Sequence, residues 1–407
     1  MIKRSKLQNG IQIVTCLDPN SKLVTIGYVV KNGSYNENEN QTGLSHLIEH
    51  MVFKGTINRT VNQINKDIEN VGGYLNACTS FTFTKYYATV PSKHWQVAAD
   101  VLSDIMFNHT FPEDGFKSEK EVVKEEISMY EDNPKSFVID KIYEEIFENY
   151  KNRQTISGTR EDIDRYTIDD LNDMIDTNYC FNNITVLATG NINHEELEKF
   201  VSDYLVKYNI TEEESYVTDY EEFEPHSLNG EVKKFERPDV NQTHLSFAMF
   251  GPGYNHEDIP ALELLVNILG GNTSSLLYDN LREKKGLCYT IGSDMETLND
   301  VSLIIGYAGL NSQSDVIQEI TDLIVGVTDN LTQEMLEDSK RYLIGMEDIQ
   351  TETTSSLHSL YTDKIINDDF SPIEERKSRL EKVTLEKAKE VAKKYFNKEN
   401  LCFVKLN

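Results

Sequence analysis

The chain repeats one local pattern at a separation of 217 residues, and this repeat restricts the fold more than any other feature. Thr167 begins a helical stretch that leads to Tyr179 and then to an apolar, strand-like run. Thr384 begins the same succession of features near the C-terminus, leading to Tyr395 and a second strand-like run. A Thr cap before helical periodicity, followed by β-rich apolar residues, predicts a helix and then a strand in both places.

A second pair of segments occurs at nearly the same separation. The apolar pattern of residues 43–51 matches that of residues 261–269, which lie 218 residues further on. Repeats at one fixed separation indicate that a structural unit has been duplicated. We therefore predict two homologous domains, over 1–208 and 230–407, joined by an acidic linker at 209–229 that lacks steady periodicity.

Each predicted domain mixes strands with helices. In the first, residues 11–16 and 24–30 have the character of strands and 77–90 that of a hairpin, whereas 43–53 and 61–70 have helical periodicity. Further helices are predicted at 94–107, 117–131, 136–149 and 168–178. Hairpins beside several helices argue against a regular succession of parallel βαβ units. The predicted fold class is α+β, with a mixed or antiparallel sheet flanked by helices in each domain.

The chain is strongly acidic. Its 68 Asp and Glu residues against 40 Lys and Arg give a net charge of −28. Nucleic acids and anionic membrane surfaces attract clustered cations, so we expect neither as a partner, whereas basic peptides suit a negative field. Five cysteines lie far apart without a CxxC pair, and no apolar stretch is long enough to span a bilayer. These features predict a cytoplasmic protein.

The segment HLIEH, from His46 to His50, carries the clearest chemical signal. On a helix, residues at i, i+3 and i+4 share one face, so His46, Glu49 and His50 point towards one small volume. Two imidazoles at this spacing are good Zn²⁺ ligands, and the carboxylate beside them can take a proton from a zinc-bound water. This order of the three residues is the inverzincin pattern. The alternative is three ordinary polar residues on an amphipathic helix.

The rest of this helix favours the metal. Its other positions are mostly apolar, so the helix should be buried, and buried histidines and glutamates need partners. We expect Thr42 to cap its start and Gly55 to end it. Zinc hydrolases usually use three protein ligands. The glutamate-rich helix at 118–132 offers Glu119 and Glu126 on its apolar stripe, and periodicity leaves both alternatives open.

Residues 33–56, GSYNENENQTGLSHLIEHMVFKGT, resemble the pitrilysin/insulinase family of zinc metallopeptidases, and in particular its small two-domain, bacterial-type members related to the beta subunit of mitochondrial processing peptidase. Other matching segments are LQNG at 7–10, GGYLNA at 72–77, Asp132 with Pro134, and GGNTSSLLYDNLREKKGLCY at 270–289. The resemblance therefore extends over essentially the whole chain, and these motifs together are highly specific.

The resemblance implies a complete metal site in the first domain. It assigns His46, His50 and Glu126 as the ligands of one zinc ion per chain. It assigns Glu49 as the base that activates the zinc-bound water, and Glu119 as a supporting acid. The implied activity is hydrolysis of peptide bonds.

The resemblance also implies residues that handle the substrate. Arg282 and Tyr289, in the second domain, correspond to a pair that binds substrate and stabilises the developing oxyanion. Asn76 and Ala77 correspond to an edge strand that takes up an extended peptide. The sequence departs from the family pattern at Thr82, where a glutamate is usual, so the substrate preference is left open.

The second domain should lack a metal, because Leu264, Asn267 and Ile268 stand where the first has its histidines and glutamate. Large family members carry four such domains in one chain, so a two-domain chain implies a homodimer that closes a chamber. Peptides or unfolded segments, with basic ones favoured, are the implied substrates. The alternative function is a non-catalytic, peptide-binding or scaffold subunit of the same family.

Overall fold

The structure, a computed structural model, describes residues 2–150, 153–211, 222–311 and 316–407. Residues 212–221 of the predicted linker therefore lie outside the described part. The strands in chain order are β1 (Ile2–Lys6), β2 (Gln12–Leu17), β3 (Leu23–Val30), β4 (Tyr74–Thr79), β5 (Thr84–Pro91), β6 (Ile184–Gly190), β7 (Val232–Phe235), β8 (Thr243–Pro252), β9 (Cys288–Thr297), β10 (Val301–Leu310) and β11 (Cys402–Leu406).

The helices predicted in the first half of the sequence occur within about four residues of their predicted bounds. In chain order they are α1 (Leu44–Met51), α2 (Val61–Glu69), α3 (Trp95–Phe107), α4 (Glu113–Asp132), α5 (Pro134–Ile146), α6 (Arg160–Arg165), α7 (Ile168–Asn178), α8 (His194–Lys207), α9 (Ile259–Val266), α10 (Ile317–Asn330), α11 (Gln333–Gln350), α12 (Thr354–Ile366), α13 (Ile373–Glu381) and α14 (Leu385–Tyr395). None of these described helices has both the length and the hydropathy needed to cross a membrane.

The two sheets have the same core topology. The first has the strand order β1-β2-β6-β3-β5-β4, and the second has β7-β11-β8-β10-β9. In both, one pair is parallel, β2 with β6 and β7 with β11, and the other pairs are antiparallel. The α+β class and the duplication of one mixed sheet are therefore confirmed.

The compact units differ from a simple division of the sequence into halves. One unit comprises 1–128, 150–220 and 350–370, and the other comprises 129–149, 221–349 and 371–407. Each unit thus takes one helix from the other half of the sequence. Helix α12 packs on β3 and β6 of the first sheet, and α5 packs on β8 and β11 of the second.

The exchanged helices cover sheet faces that the local helices leave open. Helix α3 packs on β3 and β5 in the first unit, where the alternate β3 residues Val24 and Ile26 enter the core. The intervening Thr25 faces α12, and its hydroxyl donates to the Thr354 hydroxyl at 2.9 Å. A central strand buried on both faces needs helices on both sides. The predicted boundaries at 208 and 230 remain a prediction about the sequence repeat.

Candidate metal centre

Helix α1 is anchored in the first core by its apolar face. Leu44, Leu47, Ile48 and Met51 are fully buried there. They recur at i, i+3, i+4 and i+7, the spacing of one helical face. The polar residues of α1 are consequently held on the other side, which fixes the direction of the three residues of the HLIEH motif.

The start of α1 is capped by a buried glutamate, and the prediction of a Thr42 cap is wrong. Gly43 occupies the N-cap position with a φ of 84°, and no side chain caps the helix from that position. The Glu37 carboxylate instead accepts hydrogen bonds from the backbone N–H groups of Gly43 (2.9 Å) and Ser45 (2.7 Å). A carboxyl group has two oxygens, so this one side chain receives two of the free N–H groups of the helix start. At the other end, a short 3₁₀ turn stops at Gly55, as predicted.

The structure brings His46, His50 and Glu126 into one cluster. The Nε2 atoms of His46 and His50 lie 3.9 Å and 3.4 Å from Glu126 Oε2, and one ligand atom from each residue lies within 4.8 Å of the others. Ligands at about 2.0–2.1 Å from a tetrahedral zinc ion are roughly 3.3–3.5 Å apart. Two nitrogens and one oxygen at these separations fit such an ion after small movements. In the described part of the chain, no other three His, Cys, Asp or Glu residues bring their ligand atoms within 4.8 Å of one another.

The imidazole ring of His46 has the environment expected of a metal ligand. It is 8% exposed, and its Nδ1 has no hydrogen-bond partner among the described residues. Burial and the neighbouring His50 lower the pKa of His46 to about 4. The ring is therefore neutral at physiological pH, which is the state that coordinates a metal.

His50 is held by two carboxylates on its two nitrogens. Its Nδ1 donates to Glu119 Oε1 at 2.9 Å, while its Nε2 faces Glu126. Burial alone would lower the pKa of His50, but the hydrogen bonds to Glu119 and Glu126 outweigh it and raise the pKa to about 9. Binding of a metal ion at Nε2 must therefore displace a proton.

This arrangement separates the two glutamates that periodicity could not. Glu126 lies on the side of the two Nε2 atoms, whereas Glu119 lies behind His50 and forms an ion pair with Lys54. Hydrogen bonds from His50 and Lys54 lower the pKa of Glu119 in spite of its burial. Glu119 is therefore a charged group that orients His50, an outer role common around metal sites.

Glu49 stands beside the cluster but belongs to a different set of contacts. Its Oε2 accepts a hydrogen bond from the Thr79 hydroxyl at 2.8 Å. Burial raises the pKa of Glu49 above that of an ordinary glutamate. A carboxylate with a raised pKa, fixed next to a metal site, is suited to accept and return a proton.

Strand β4 forms an edge of the first sheet and packs against α1. The predicted substrate residues Asn76 and Ala77 both lie on this strand, Asn76 exposed and Ala77 partly buried. The position of an edge strand beside α1 is thus as predicted. Contact of the two residues with a substrate stays a prediction.

Arg282 and Tyr289 lie together in the second unit. The Arg282 guanidinium carbon is 5.3 Å from the centre of the Tyr289 ring and 4.6 Å from that of Tyr278. Tyr289 is 74% exposed, so it is not part of the core. Their role in substrate binding and oxyanion stabilisation stays a prediction.

The second unit holds apolar and amide groups where the first has its cluster. Leu264 and Ile268 are buried in the second core, and Asn267 donates through its side chain to the Ser339 hydroxyl at 2.8 Å. These contacts leave no metal-binding set at this place. A single metal site, in the first half of the chain, stays a prediction.

Three residues that contribute to the site were not predicted from the sequence. Lys54 is four residues beyond His50, so helical spacing could have placed it near Glu119. Glu37 and Thr79 come from a loop and a strand that meet α1 only in the folded chain. No local pattern identifies such contacts in advance.

Comparison with known proteins gives a consistent result. A family description reading insulinase, peptidase family M16, matches residues 12–160, and one reading peptidase M16 inactive domain matches 165–343. A Bacillus subtilis protein called uncharacterized zinc protease YmxG is 33% identical, over 98% of this chain and 97% of that protein. A probable mitochondrial-processing peptidase subunit beta of Arabidopsis thaliana is 30% identical, over 65% of this chain and 49% of that protein.

Solved structures show the same fold. A protease from Helicobacter pylori has a TM-score of 0.94 and 22% identity, with 100% of this chain and 99% of that chain covered. The relatives thus extend over both halves of the sequence, and the solved structure has the same fold. On this evidence the chain belongs to the insulinase family of peptidases, family M16.

Proposed function

We propose that this protein is a zinc-dependent endopeptidase that hydrolyses peptides or unfolded segments. The observation that supports it most is the His46, His50 and Glu126 cluster with Glu49 beside it. Catalytic zinc sites use three protein ligands and an open position for water, and a separate carboxylate can serve as the base. Relatives that are called zinc proteases support the same function.

When bound, one zinc ion per chain would supply Lewis acidity and lower the pKa of water at the site. Glu49 takes the proton of the attacking water and returns it to the leaving amine. Thr79 holds the Glu49 carboxylate in place through its hydroxyl, and Glu119 fixes the ring of His50. Arg282 and Tyr289 are the proposed donors to the developing oxyanion.

The edge strand β4 is the proposed place for the substrate backbone. An open edge offers N–H and C=O groups to any extended peptide, so recognition through it tolerates many sequences. The negative charge of the chain favours basic peptides. We also propose that two chains form a homodimer that encloses a chamber. The proposed location of the protein is the cytoplasm.

A non-catalytic subunit that captures peptides or serves as a scaffold is the second candidate. One observation favours it, namely that the second half matches a description of an inactive domain. The complete ligand cluster in the first half favours the enzyme instead.

The two candidates are separated by measuring zinc content and cleavage on the same samples. Purified wild type, Glu49→Gln and Glu126→Gln are compared, with the exposed Glu125→Gln as a matched control on the same helix. We expect one zinc per chain and cleavage of a quenched-peptide library for wild type and Glu125→Gln. Glu49→Gln should keep its zinc and lose at least about a hundredfold in rate, and Glu126→Gln should lose both. Cleavage by Glu49→Gln at the wild-type rate would contradict the proposal.

A further inference from the structure

Strand β4 carries a capped amide on its open edge. The Ser80 N–H bonds the Phe83 carbonyl at the hairpin turn, and hydrogen-bonded pairs alternate along antiparallel strands. Counting back along β4, the N–H of Ala77 therefore points away from β5. It donates instead to the side-chain oxygen of Asn76, at 2.9 Å.

Strand β9, the edge of the second sheet, has the same arrangement. The Leu298 N–H bonds the Val301 carbonyl, so the N–H of Met295 points away from β10. This N–H donates to Oδ1 of Asp294, at 2.8 Å. Among the described residues, no further strand pairs with either edge.

The two caps occupy equivalent places in the duplicated fold. Asn76 and Asp294 are 218 residues apart, which is the separation of the sequence repeat. Each comes directly before the residue whose N–H points outward. That residue lies three positions before the hydrogen-bonded residue at the hairpin turn, which is Ser80 in β4's hairpin and Leu298 in β9's. The geometry has been kept in both halves, but the capping group is a neutral amide in one and a carboxylate in the other.

The amide of Asn76 can exchange its partner for a peptide strand. A carboxamide has two donors as well as its oxygen, so it can face an incoming carbonyl group once it has released Ala77. Its cross-strand neighbour is Tyr87, whose hydroxyl can receive the amide once it has been released. Asn76 therefore has polar partners at hand when it gives up the Ala77 N–H.

The carboxylate of Asp294 cannot exchange its hydrogen-bond partner for a peptide strand in this way. It offers acceptors only, so a peptide carbonyl that approached the Met295 N–H would meet a negative group with no donor. A charge-assisted hydrogen bond is also about twice as strong as a neutral one. Its cross-strand neighbour, Ile305, provides no polar group to receive a displaced carboxylate.

We propose that Asn76 is an exchangeable cap of the β4 edge and Asp294 a fixed cap of the β9 edge, so that an extended peptide adds to β4 and not to β9. This rests on the proposed function only in taking the ligand to be a peptide backbone. The fixed cap would confine peptides to the edge beside the metal cluster, although the duplicated fold supplies two edges.

Residue-resolved amide hydrogen exchange tests both caps. Glu49→Gln protein, which should not cut the probe, is measured alone and with an excess of the mixed peptide library. We expect exchange of the Ala77 amide to slow by about tenfold with peptides, and that of Met295 by less than about twofold. Two reciprocal substitutions in the same background serve as matched controls. Asp294→Asn should give Met295 the peptide-dependent protection, and Asn76→Asp should remove it from Ala77.

Each remaining outcome is informative. Equal protection of both amides with Asp294 in place, or unchanged protection in Asn76→Asp, would overturn the caps while leaving the peptidase proposal intact. Protection at neither edge would overturn the caps even if the peptidase assay is positive. Protection at β4 alone, without cleavage by the wild type, would support the caps and contradict the proposed function.

Discussion

At the scale of single residues, Glu119 illustrates how a group outside the ligand set determines the state of a ligand. Its carboxylate accepts a hydrogen bond from Nδ1 of His50 and forms an ion pair with Lys54. The other nitrogen of His50 is thereby directed towards Glu126. The carboxylate thus fixes both the tautomer and the orientation of the ring.

Replacement of Glu119 by Gln should weaken zinc binding by about 10–100-fold, because a neutral amide orients the His50 ring but makes it a less basic ligand than a carboxylate does. Glu121→Gln is the control, since that exposed glutamate lies on the same helix and pairs with Lys124 at the surface. Competition with a chelator measures the affinities. Equal zinc affinity in the two variants would show that Glu119 does not support the site.

Glu37 gives a prediction about pH. It is 3% exposed, and burial raises its pKa from the ordinary 4.5 to about 8. Between these values the folded chain binds a proton that the unfolded chain has released, so the contribution of Glu37 to the free energy of unfolding falls as the pH rises. The difference between wild type and Glu37→Gln, measured by urea unfolding from about pH 5 to 8, should therefore decrease with pH. A difference that increases over this range would contradict the assignment.

At the scale of elements, α12 lies against the first sheet through a close contact. His358 on this helix is almost fully buried, and a Cβ atom on Gly27 of β3 would stand 2.7 Å from its Nε2. The same Cβ would stand 3.0 Å from the Tyr86 carbonyl oxygen. A glycine in the middle of a central strand is thus explained by the helix that crosses it.

Gly27→Ala should lower the free energy of unfolding by about 1–3 kcal/mol, because the methyl group overlaps the imidazole. In the double variant with His358→Ala, part of this loss should be recovered, so the two changes should be coupled by about 1 kcal/mol. Gly345→Ala on α11, where a Cβ meets nothing within 4 Å, is the control and should be neutral or stabilising. Strict additivity of the first two changes would mean that α12 does not rest on Gly27.

Much of the secondary structure follows from the sequence. The predicted strand at 24–30 and helix at 61–70 correspond to β3 and α2 because their apolar periods are clear. The exchange of α5 and α12 does not follow. Periodicity shows that a helix has an apolar face, but not which sheet that face covers.

The candidate site was predictable to a similar extent. Helical spacing alone groups His46, Glu49 and His50, whereas the choice between Glu119 and Glu126 required the resemblance or the structure. Thr42 was an attractive cap by residue type. Its place is taken by Glu37, which reaches the helix from a preceding loop and could not be identified from local preferences.

At the scale of the whole molecule, the exchange of helices makes each half of the sequence incomplete. Residues 1–208 lack α12, which covers β3 and β6, and residues 230–407 lack α5, which covers β8 and β11. A half expressed alone would expose one sheet face that is buried in the intact chain.

We therefore expect residues 1–208 alone to be aggregated or poorly folded, and to be rescued by co-expression with residues 209–407. Size-exclusion chromatography and zinc content of the co-purified halves measure the rescue. The intact chain is the control for both. A soluble 1–208 fragment that binds zinc as tightly as the intact chain would contradict the importance of the exchange.

The central claim is that His46, His50 and Glu126 hold one metal ion with Glu49 beside it. Anomalous X-ray diffraction at the zinc absorption edge, on crystals of the zinc-loaded protein, tests this most directly. We predict one anomalous peak per chain, in contact with those three side chains and with no ligand from Glu49. A peak elsewhere, or zinc-loaded crystals without a peak between these residues, would contradict the account.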